Sequence, residues 1–150
     1  EVATETVVVD GLDYRESLQV VRVEGGIANN VVPDACTVTV NRRYAPNRSL
    51  DAAVDEVTAL FADADAVEVL NRSSAAPPNL TQPLVAEFVG TLDLPVRPKL
   101  GWTDVARFAE HGIAALNFGP GDPELAHTAA ERVTRADIES VHERLAAFLT

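Results

Sequence analysis

Hydrophobic and polar residues alternate most regularly along residues 34–44. A period of two places Cys36, Val38 and Val40 on one face, with polar residues between and after them. This is the period of a β-strand, so the stretch is predicted to be a strand with one packed face and one polar face. Because Cys36 shares the face of the valines, it is interpreted as a core residue rather than a nucleophile.

Other apolar stretches predict further strands and helices. Short stretches rich in valine, leucine or alanine predict strands at residues 6–9, 17–24, 66–70, 96–100 and 114–118. Apolar residues at helical spacing predict helices at residues 50–61, 83–92 and 135–149, and Thr103-Asp104 opens a fourth that Gly112 ends. Asp10-Gly11 predicts a turn, Ser49 a helix cap, and Thr134 with Asp137 a near capping box.

Residues 71–82 have no hydrophobic period and contain two adjacent prolines, so they are interpreted as a linker between two lobes. The first lobe is predicted to run β-β-α-β. The second is predicted to run α-β-α-β-loop-α. This alternation favours an α/β fold with a parallel sheet covered by helices.

Composition limits the classes of partner. The 23 acidic and 12 basic residues give a net charge of −11, which disfavours nucleic acid and anionic membranes. One cysteine excludes an internal disulfide and suits a cytoplasmic location, and no apolar stretch is long enough for a transmembrane helix. Because the sequence lacks methionine and opens on acidic residues, we expect it to be an inner part of a larger protein.

The glycine-rich loop after residues 114–118 is the first candidate site. In α/β sheets, ligands gather beyond the carboxyl ends of strands, and Gly119 lets the backbone approach a ligand closely. His127 follows, with Glu131 four residues later as a carboxylate that could orient it. One histidine is far below the ligand set of a zinc site, so an ordinary loop histidine is the alternative. His111 is interpreted as a cation at a helix end and His142 as a packing residue.

Two polar groups in the first lobe are further candidates. Asn29 and Asn30, in a long connection between strands, can bond a substrate amide or carboxylate, or can simply cap loop backbone. Arg43, on the polar face of its strand, can form a forked contact with a carboxylate, or a surface ion pair.

Four motifs occur in order along the chain. They are Gly-Gly-x-Ala-x-Asn-Val-Val-Pro-Asp (residues 25–34), Asn-Arg-Arg-Tyr-Ala-Pro (41–46), Gly-Trp-Thr-Asp-Val-Ala-Arg-Phe (101–108), and Asn-Phe-Gly-Pro-Gly with a downstream His-x-x-x-Glu (117–131). Together they resemble the dizinc amidohydrolases and peptidases, a family that includes succinyl-diaminopimelate desuccinylase, acetylornithine deacetylase and aminoacylase. The third motif is most similar to that of actinobacterial desuccinylases.

The resemblance implies the end of a zinc-peptidase-like α/β catalytic domain, at residues 76–150. Residues 1–75 are then the later part of an inserted α+β dimerisation domain, or lid. A half domain leaves a sheet edge unpaired, so oligomerisation or aggregation of the isolated chain is expected.

The resemblance also implies site roles. His127 would bind one of two zinc ions (Co or Mn being alternatives), with Glu131 beside it, while the other ligands and the general base lie outside this sequence. Asn29, Asn30, Arg43, Thr103 and Gly119 would contact the substrate, with Asn30 reaching the facing subunit of a homodimer. Family members often carry a fuller polar stretch where this chain has Thr128-Ala129-Ala130.

The implied activity is removal of succinate from N-succinyl-diaminopimelate, in lysine and peptidoglycan-precursor synthesis. This chain alone is expected to be inactive. Two alternatives remain open: another N-acyl amino-acid deacylase or peptidase of the family, and a non-catalytic dimerisation module.

Overall fold

The computed structural model describes residues 5–150, which form a small antiparallel sheet and four α-helices. The strands are β1 (Glu5–Val9), β2 (Leu12–Gly25) and β3 (Cys36–Arg43); the helices are α1 (Leu50–Leu60), α2 (Pro83–Leu92), α3 (Val105–Glu110) and α4 (Arg135–Leu149), with a short 3-10 turn at Pro123–Leu125. The predicted helices and the three strands before residue 45 are confirmed, with differences at their ends that are largest for β2. Among the helices of this range, none has both the length and the apolar composition of a membrane span.

The first two strands are joined by the predicted tight turn. Asp10 and Gly11 both have positive φ, at 50° and 79°. A two-residue turn with positive φ at both residues matches the twist of a β-hairpin, and glycine adopts a positive φ without steric cost. The turn therefore sets the register that pairs Val9 with Leu12 and Glu5 with Glu16.

Strand β2 is longer than predicted because its two halves pair with different neighbours. Its first half pairs with β1, and its second half pairs with β3 from Ser17 opposite Arg43 to Gly25 opposite Cys36. The sheet order is β1-β2-β3, and both pairings are antiparallel. A register shift between Val20 and Arg22 interrupts the second ladder.

Each half of the chain has a small core. In the first half the buried residues are Tyr14, Glu16, Leu18, Ala45 and Ala53. In the second half they are Val85, Phe88, Leu92 and Ala106. The ring of Phe88 packs edge-on against Phe118, at 5.3 Å between centroids, and against Phe148, at 4.8 Å. These contacts join α2, α4 and the segment before the glycine-rich loop.

Three predicted strands do not form in the described chain. Residues 66–70, 96–100 and 114–118 belong to no helix or strand. A strand exists only when a neighbour completes its hydrogen-bond ladder, and no segment among residues 5–150 pairs with them. The structure is thus a mixed helix and small-sheet arrangement, and the predicted parallel sheet is absent from it.

Two burial predictions are also wrong. Cys36 is exposed. His142 is exposed on α4. The interpretation of His111 as a helix-end residue is confirmed, since it caps the C-terminus of α3.

A large apolar surface is left uncovered. The chain exposes 11301 Å², whereas a compact protein of 16.0 kDa exposes about 7,400 Å². Large side chains on the sheet contribute, including Val20 and Val23, which are 58% and 63% exposed. Large apolar side chains that are exposed together in this way are normally covered by further polypeptide.

The segment predicted to be a linker is anchored to the sheet at its start. The Tyr44 hydroxyl, just after β3, donates to the Ser73 carbonyl oxygen at 3.0 Å and accepts from the Ala75 amide at 3.1 Å. Burial raises the pKa of the Tyr44 hydroxyl above its ordinary value. Neutral tyrosine therefore keeps both bonds throughout the physiological range.

Helix α4 begins with the predicted capping box. Thr134 Oγ1 donates to Asp137 Oδ2 at 2.7 Å and accepts from the Asp137 amide at 3.1 Å. Hydrogen bonds from the side chain and then the backbone of Thr134 lower the pKa of the Asp137 carboxyl below its ordinary 3.8. This carboxylate stabilises the fold above pH 3.8, and the contribution is lost as pH falls through the lower folded-state pKa.

Replacing Thr134 by valine in the intact protein should raise the pKa of Asp137 towards 3.8, because the hydroxyl donor is lost. An NMR titration of the Asp137 carboxyl measures this directly. Thr91→Val is the matched control, since the Thr91 hydroxyl donates to a helix carbonyl away from Asp137. An unchanged Asp137 pKa in Thr134→Val would contradict the assignment.

Candidate functional site

An open cleft in the second half of the chain brings together several of the predicted site residues. Its volume is about 1350 Å³, and its lining includes Thr103, Asn117, Gly119 and Glu131. Asn117 Nδ2 donates to Thr103 Oγ1 at 3.2 Å, which joins the start of α3 to the segment before the glycine-rich loop. Thr103 and Gly119 thus line one cleft.

The loop that carries His127 is held by its own hydrogen bonds. Asp122 Oδ1 accepts from the Glu124 amide at 2.9 Å and caps the 3-10 turn. Thr128 Oγ1 donates to the Leu125 carbonyl at 2.7 Å. These bonds fix the loop on both sides of His127, whose neighbour Ala126 lines the cleft.

Glu131 reaches back to His127, as the four-residue spacing predicts, but it binds the main chain. Its Oε2 accepts from the His127 amide at 2.9 Å. His127 has φ of 65°, a left-handed conformation that costs a non-glycine residue about 1–2 kcal/mol. Glu131 therefore holds a strained backbone that sets the direction of the exposed histidine side chain.

The described residues hold no complete metal centre. No group of three or more His, Cys, Asp or Glu side chains is placed to bind one ion among residues 5–150. His127 can supply one nitrogen ligand, and a zinc site needs three or four ligands.

Arg43 lies at the last paired position of β3, with its side chain exposed. Its Nη1 donates to the Leu100 carbonyl oxygen at 3.5 Å. Among residues 5–150 it forms no ion pair, so the surface ion pair weighed above is not found. Most of its guanidinium donors remain open to a ligand.

Asn29 and Asn30 lie in the exposed loop at the opposite end of the β2–β3 hairpin. The eight residues of β3 span about 24 Å at the rise of an antiparallel strand. Asn30 and Arg43 of one chain are therefore too far apart to contact the same small molecule. Neither asparagine lines the cleft that contains Thr103.

A buried ion cluster is a feature that the sequence patterns missed. Glu16, with none of its surface exposed, contacts Arg42 at 2.6 Å and Arg48 at 3.4 Å. Glu56 on α1 contacts the same two arginines at 3.1 and 2.6 Å. The members come from β2, β3, the following loop and α1, so no local spacing reveals them.

Lys99 is a second feature that was missed. It is the single lysine of the sequence, and it lines both the cleft around Thr103 and a groove between β3, α1 and residues 66–76. Arg43 lines the same groove. Two cations thus lie near the boundary between the two halves of an acidic chain.

Removing the Glu131 carboxylate should loosen the backbone of His127. In Glu131→Ala, we expect the His127 amide to exchange with solvent at least about fivefold faster, because its acceptor is lost. Hydrogen exchange followed by NMR on the intact protein measures this. Glu124→Ala removes a nearby carboxylate that accepts no bond from His127 and should leave the rate unchanged; equal rates in both variants would refute the contact.

Comparison with known proteins gives one family. Residues 9–68 match the peptidase dimerisation domain. The chain is 46% identical, over 94% of its length, to a protein of Mycobacterium tuberculosis named as a succinyl-diaminopimelate desuccinylase. It is 40% identical, over 95% of its length, to succinyl-diaminopimelate desuccinylase of Corynebacterium glutamicum. N-acetyl-L-citrulline deacetylase of Xanthomonas campestris is 29% identical over 79% of the chain.

The chain spans 40% of the length of the first two relatives and 34% of the third. The similarity confirms the resemblance drawn from the four motifs, including its emphasis on actinobacterial desuccinylases. The chain is therefore similar to part of succinyl-diaminopimelate desuccinylases and related deacetylases, and its residues 9–68 match a peptidase dimerisation domain.

Proposed function

We propose that the protein of which this chain is a part hydrolyses the amide bond of N-succinyl-diaminopimelate, releasing succinate and a diamino acid. The observation that carries the proposal is the 46% identity over 94% of the chain to a desuccinylase. The cleft that brings Thr103, Asn117 and Gly119 together beside the His127 loop supports it. In this proposal the enzyme is cytoplasmic and serves lysine and peptidoglycan-precursor synthesis.

A second candidate is hydrolysis of another N-acyl amino acid, which the similarity to N-acetyl-L-citrulline deacetylase favours. The two candidates differ in the acyl group, since succinate adds a carboxylate that an acetyl group lacks. Parallel assays of the intact enzyme on succinylated and acetylated substrates separate them. A higher kcat/KM on the acetylated substrate would make the second candidate the correct one.

The proposed domain division follows the two small cores. Residues 1–75 would be the later part of an inserted dimerisation domain, and residues 76–150 the end of the catalytic domain. The match of residues 9–68 to the dimerisation domain supports the first assignment. The Phe88 ring cluster supports the second, because it joins α2 and α4 in a core separate from the sheet.

The residues of this chain can supply one ligand of a zinc site, namely His127. The His127 side chain is exposed, its backbone is fixed by Glu131, and it adjoins the cleft. In the proposal His127 is a ligand of one of the two zinc ions, with Co or Mn as alternatives, and the other ligands and the general base lie outside these residues. Bound zinc supplies a water of lowered pKa and polarises the amide carbonyl.

This chain's own residues would bind and orient the substrate. Thr103 and the backbone at Gly119 would line the acyl or amino-acid pocket. Arg43 would bind a substrate carboxylate through charge-assisted hydrogen bonds, which its exposed guanidinium can form as a fork. Glu131 would keep the backbone of His127 in its left-handed conformation.

Replacing His127 by alanine in the intact enzyme should remove one zinc ligand. We expect at least a tenfold loss of metal affinity, together with loss of activity, because a missing ligand costs more than a missing supporting residue. Metal content after dialysis against a graded chelator series measures the affinity. His111→Ala, at the exposed end of α3, should keep wild-type metal content. Full metal content and activity in His127→Ala would remove the ligand assignment.

The hairpin geometry supports a homodimer in which Asn30 serves the partner's site. Arg43 lies at one end of β3 and the loop of Asn30 lies beyond the other, and the strand between them is about 24 Å long. The sheet also exposes apolar residues such as Val20 and Val23, together with unpaired strand edges that favour pairing with another chain. We therefore place Asn30 at the active site of the facing subunit.

Mixing two inactive variants of the intact enzyme tests this placement. Subunits with Asn30→Ala and subunits with His127→Ala, unfolded and refolded together in equal amounts, should regain about a quarter of wild-type activity, because half of the dimers carry one complete site. Each variant refolded alone should stay inactive. Failure of the mixture to gain activity would place Asn30 at its own subunit's site or at none.

A further inference from the structure

We infer that Glu16 is a positioning residue for substrate recognition, acting through Arg43, and this inference rests on the proposed role of Arg43. Glu16 lies on β2, directly beyond the pair that Ser17 forms with Arg43. Its carboxylate touches no ligand itself in this arrangement, because none of its surface is exposed. Its effect is on the backbone that carries Arg43.

One carboxylate holds the chain on both sides of Arg43. Glu16 Oε2 accepts from Arg42 Nη2 at 2.6 Å, and Oε1 accepts from the Ala45 amide at 2.8 Å. Arg42 Nη1 in turn donates to the carbonyl oxygen of Arg43 at 3.3 Å. The residue before Arg43, the residue two after it, and its own carbonyl are thus all connected to Glu16.

The hydrogen bonds of Glu16 hold the chain beyond the point where the backbone ladder between β2 and β3 ends. The last pair of β2 and β3 is Ser17 with Arg43, so the backbone after Arg43 receives no further strand partner. The carboxylate supplies the acceptor that the Ala45 amide would otherwise lack, and a buried unpaired amide is costly. Arg43 is therefore held at a defined position although it ends its strand.

A second layer of contacts keeps the Glu16 carboxylate in place. Arg48 lies 3.4 Å from Glu16 and 2.6 Å from Glu56, and Glu56 also contacts Arg42. Two arginines and two glutamates balance in charge, so burying them leaves no uncompensated ion. A buried ion cluster adds little net stability compared with apolar packing, so its main consequence here is a fixed geometry.

Fixed geometry matters at this position because of what Arg43 can bind. An arginine fork recognises a carboxylate only when both groups are aligned, and small displacements weaken it strongly. Arg43 also bridges to the Leu100 carbonyl, so its position relates the sheet to the second half of the chain. Loss of the Glu16 contacts should therefore weaken recognition of the substrate carboxylate more than it slows bond cleavage.

The test uses four forms of the intact enzyme: wild type, Glu16→Gln, Arg43→Ala and the double variant, assayed on N-succinyl-diaminopimelate. Glu16→Gln should raise KM about tenfold with little change in kcat, within the limit of about a hundredfold for a displaced binding group. Arg43→Ala should raise KM at least as much. The double variant should match Arg43→Ala alone, because Glu16 acts through Arg43.

The control is Glu24→Gln, on the same strand. Glu24 forms an exposed ion pair with Arg22, so its loss should leave KM and the melting temperature unchanged. If Glu16→Gln does not fold, Glu56→Gln replaces it, since this half-exposed outer member should give a smaller KM rise that also disappears without Arg43.

The outcomes separate the inference from the proposed function. If Arg43→Ala leaves KM unchanged, the proposed role of Arg43 fails, and the inference fails with it. If Arg43→Ala raises KM but Glu16→Gln does not, only the inference fails. If Glu16→Gln lowers kcat/KM equally with and without Arg43, and lowers the melting temperature, its role is structural and the inference is overturned.

Discussion

Burial of the Glu16 carboxylate constrains much of the first half of the chain. A fully buried carboxylate must be matched by cations and hydrogen-bond donors, and here they come from β3, from the loop after it and from a helix. Arg42 and Arg48 both reach Glu16 because the chain turns after Arg43, and Glu56 of α1 contacts the same two arginines. The cluster therefore connects the end of β3 to α1.

Features set by neighbouring residues were predicted well, and features set by distant ones were not. The Asp10-Gly11 turn follows from positive φ at glycine, and the starts of α1 and α4 follow from the side-chain caps Ser49 and Thr134, so the sequence pattern suffices. The stretch 114–118 carries the pattern of a strand, but a strand also needs a partner. None is found among residues 5–150, and the large exposed apolar surface is consistent with this.

In the candidate site, too, the sequence indicates contacts between residues close in the chain but not contacts between residues far apart in it. The spacing of His127 and Glu131 suggests a contact between the carboxylate and the histidine ring, and the structure shows a contact at the His127 amide. The spacing did not predict that the acceptor would bind the amide, since this depends on the left-handed backbone of His127. Glu16 could not be found at all, because its partners lie 26 and 29 residues further along the chain.

The β2–β3 hairpin gives these separate observations a common physical basis. Its strand β3 carries Arg43 at one end, held by the Glu16 cluster, and leads at the other end to the loop of Asn29 and Asn30. A rigid element about 24 Å long cannot bring both ends to one small substrate. If both ends recognise substrate, they serve two sites, and the hairpin connects them. The fixed position that Glu16 gives to Arg43 then matters at one active site. The rigidity of β3 determines how Asn30 reaches the second active site.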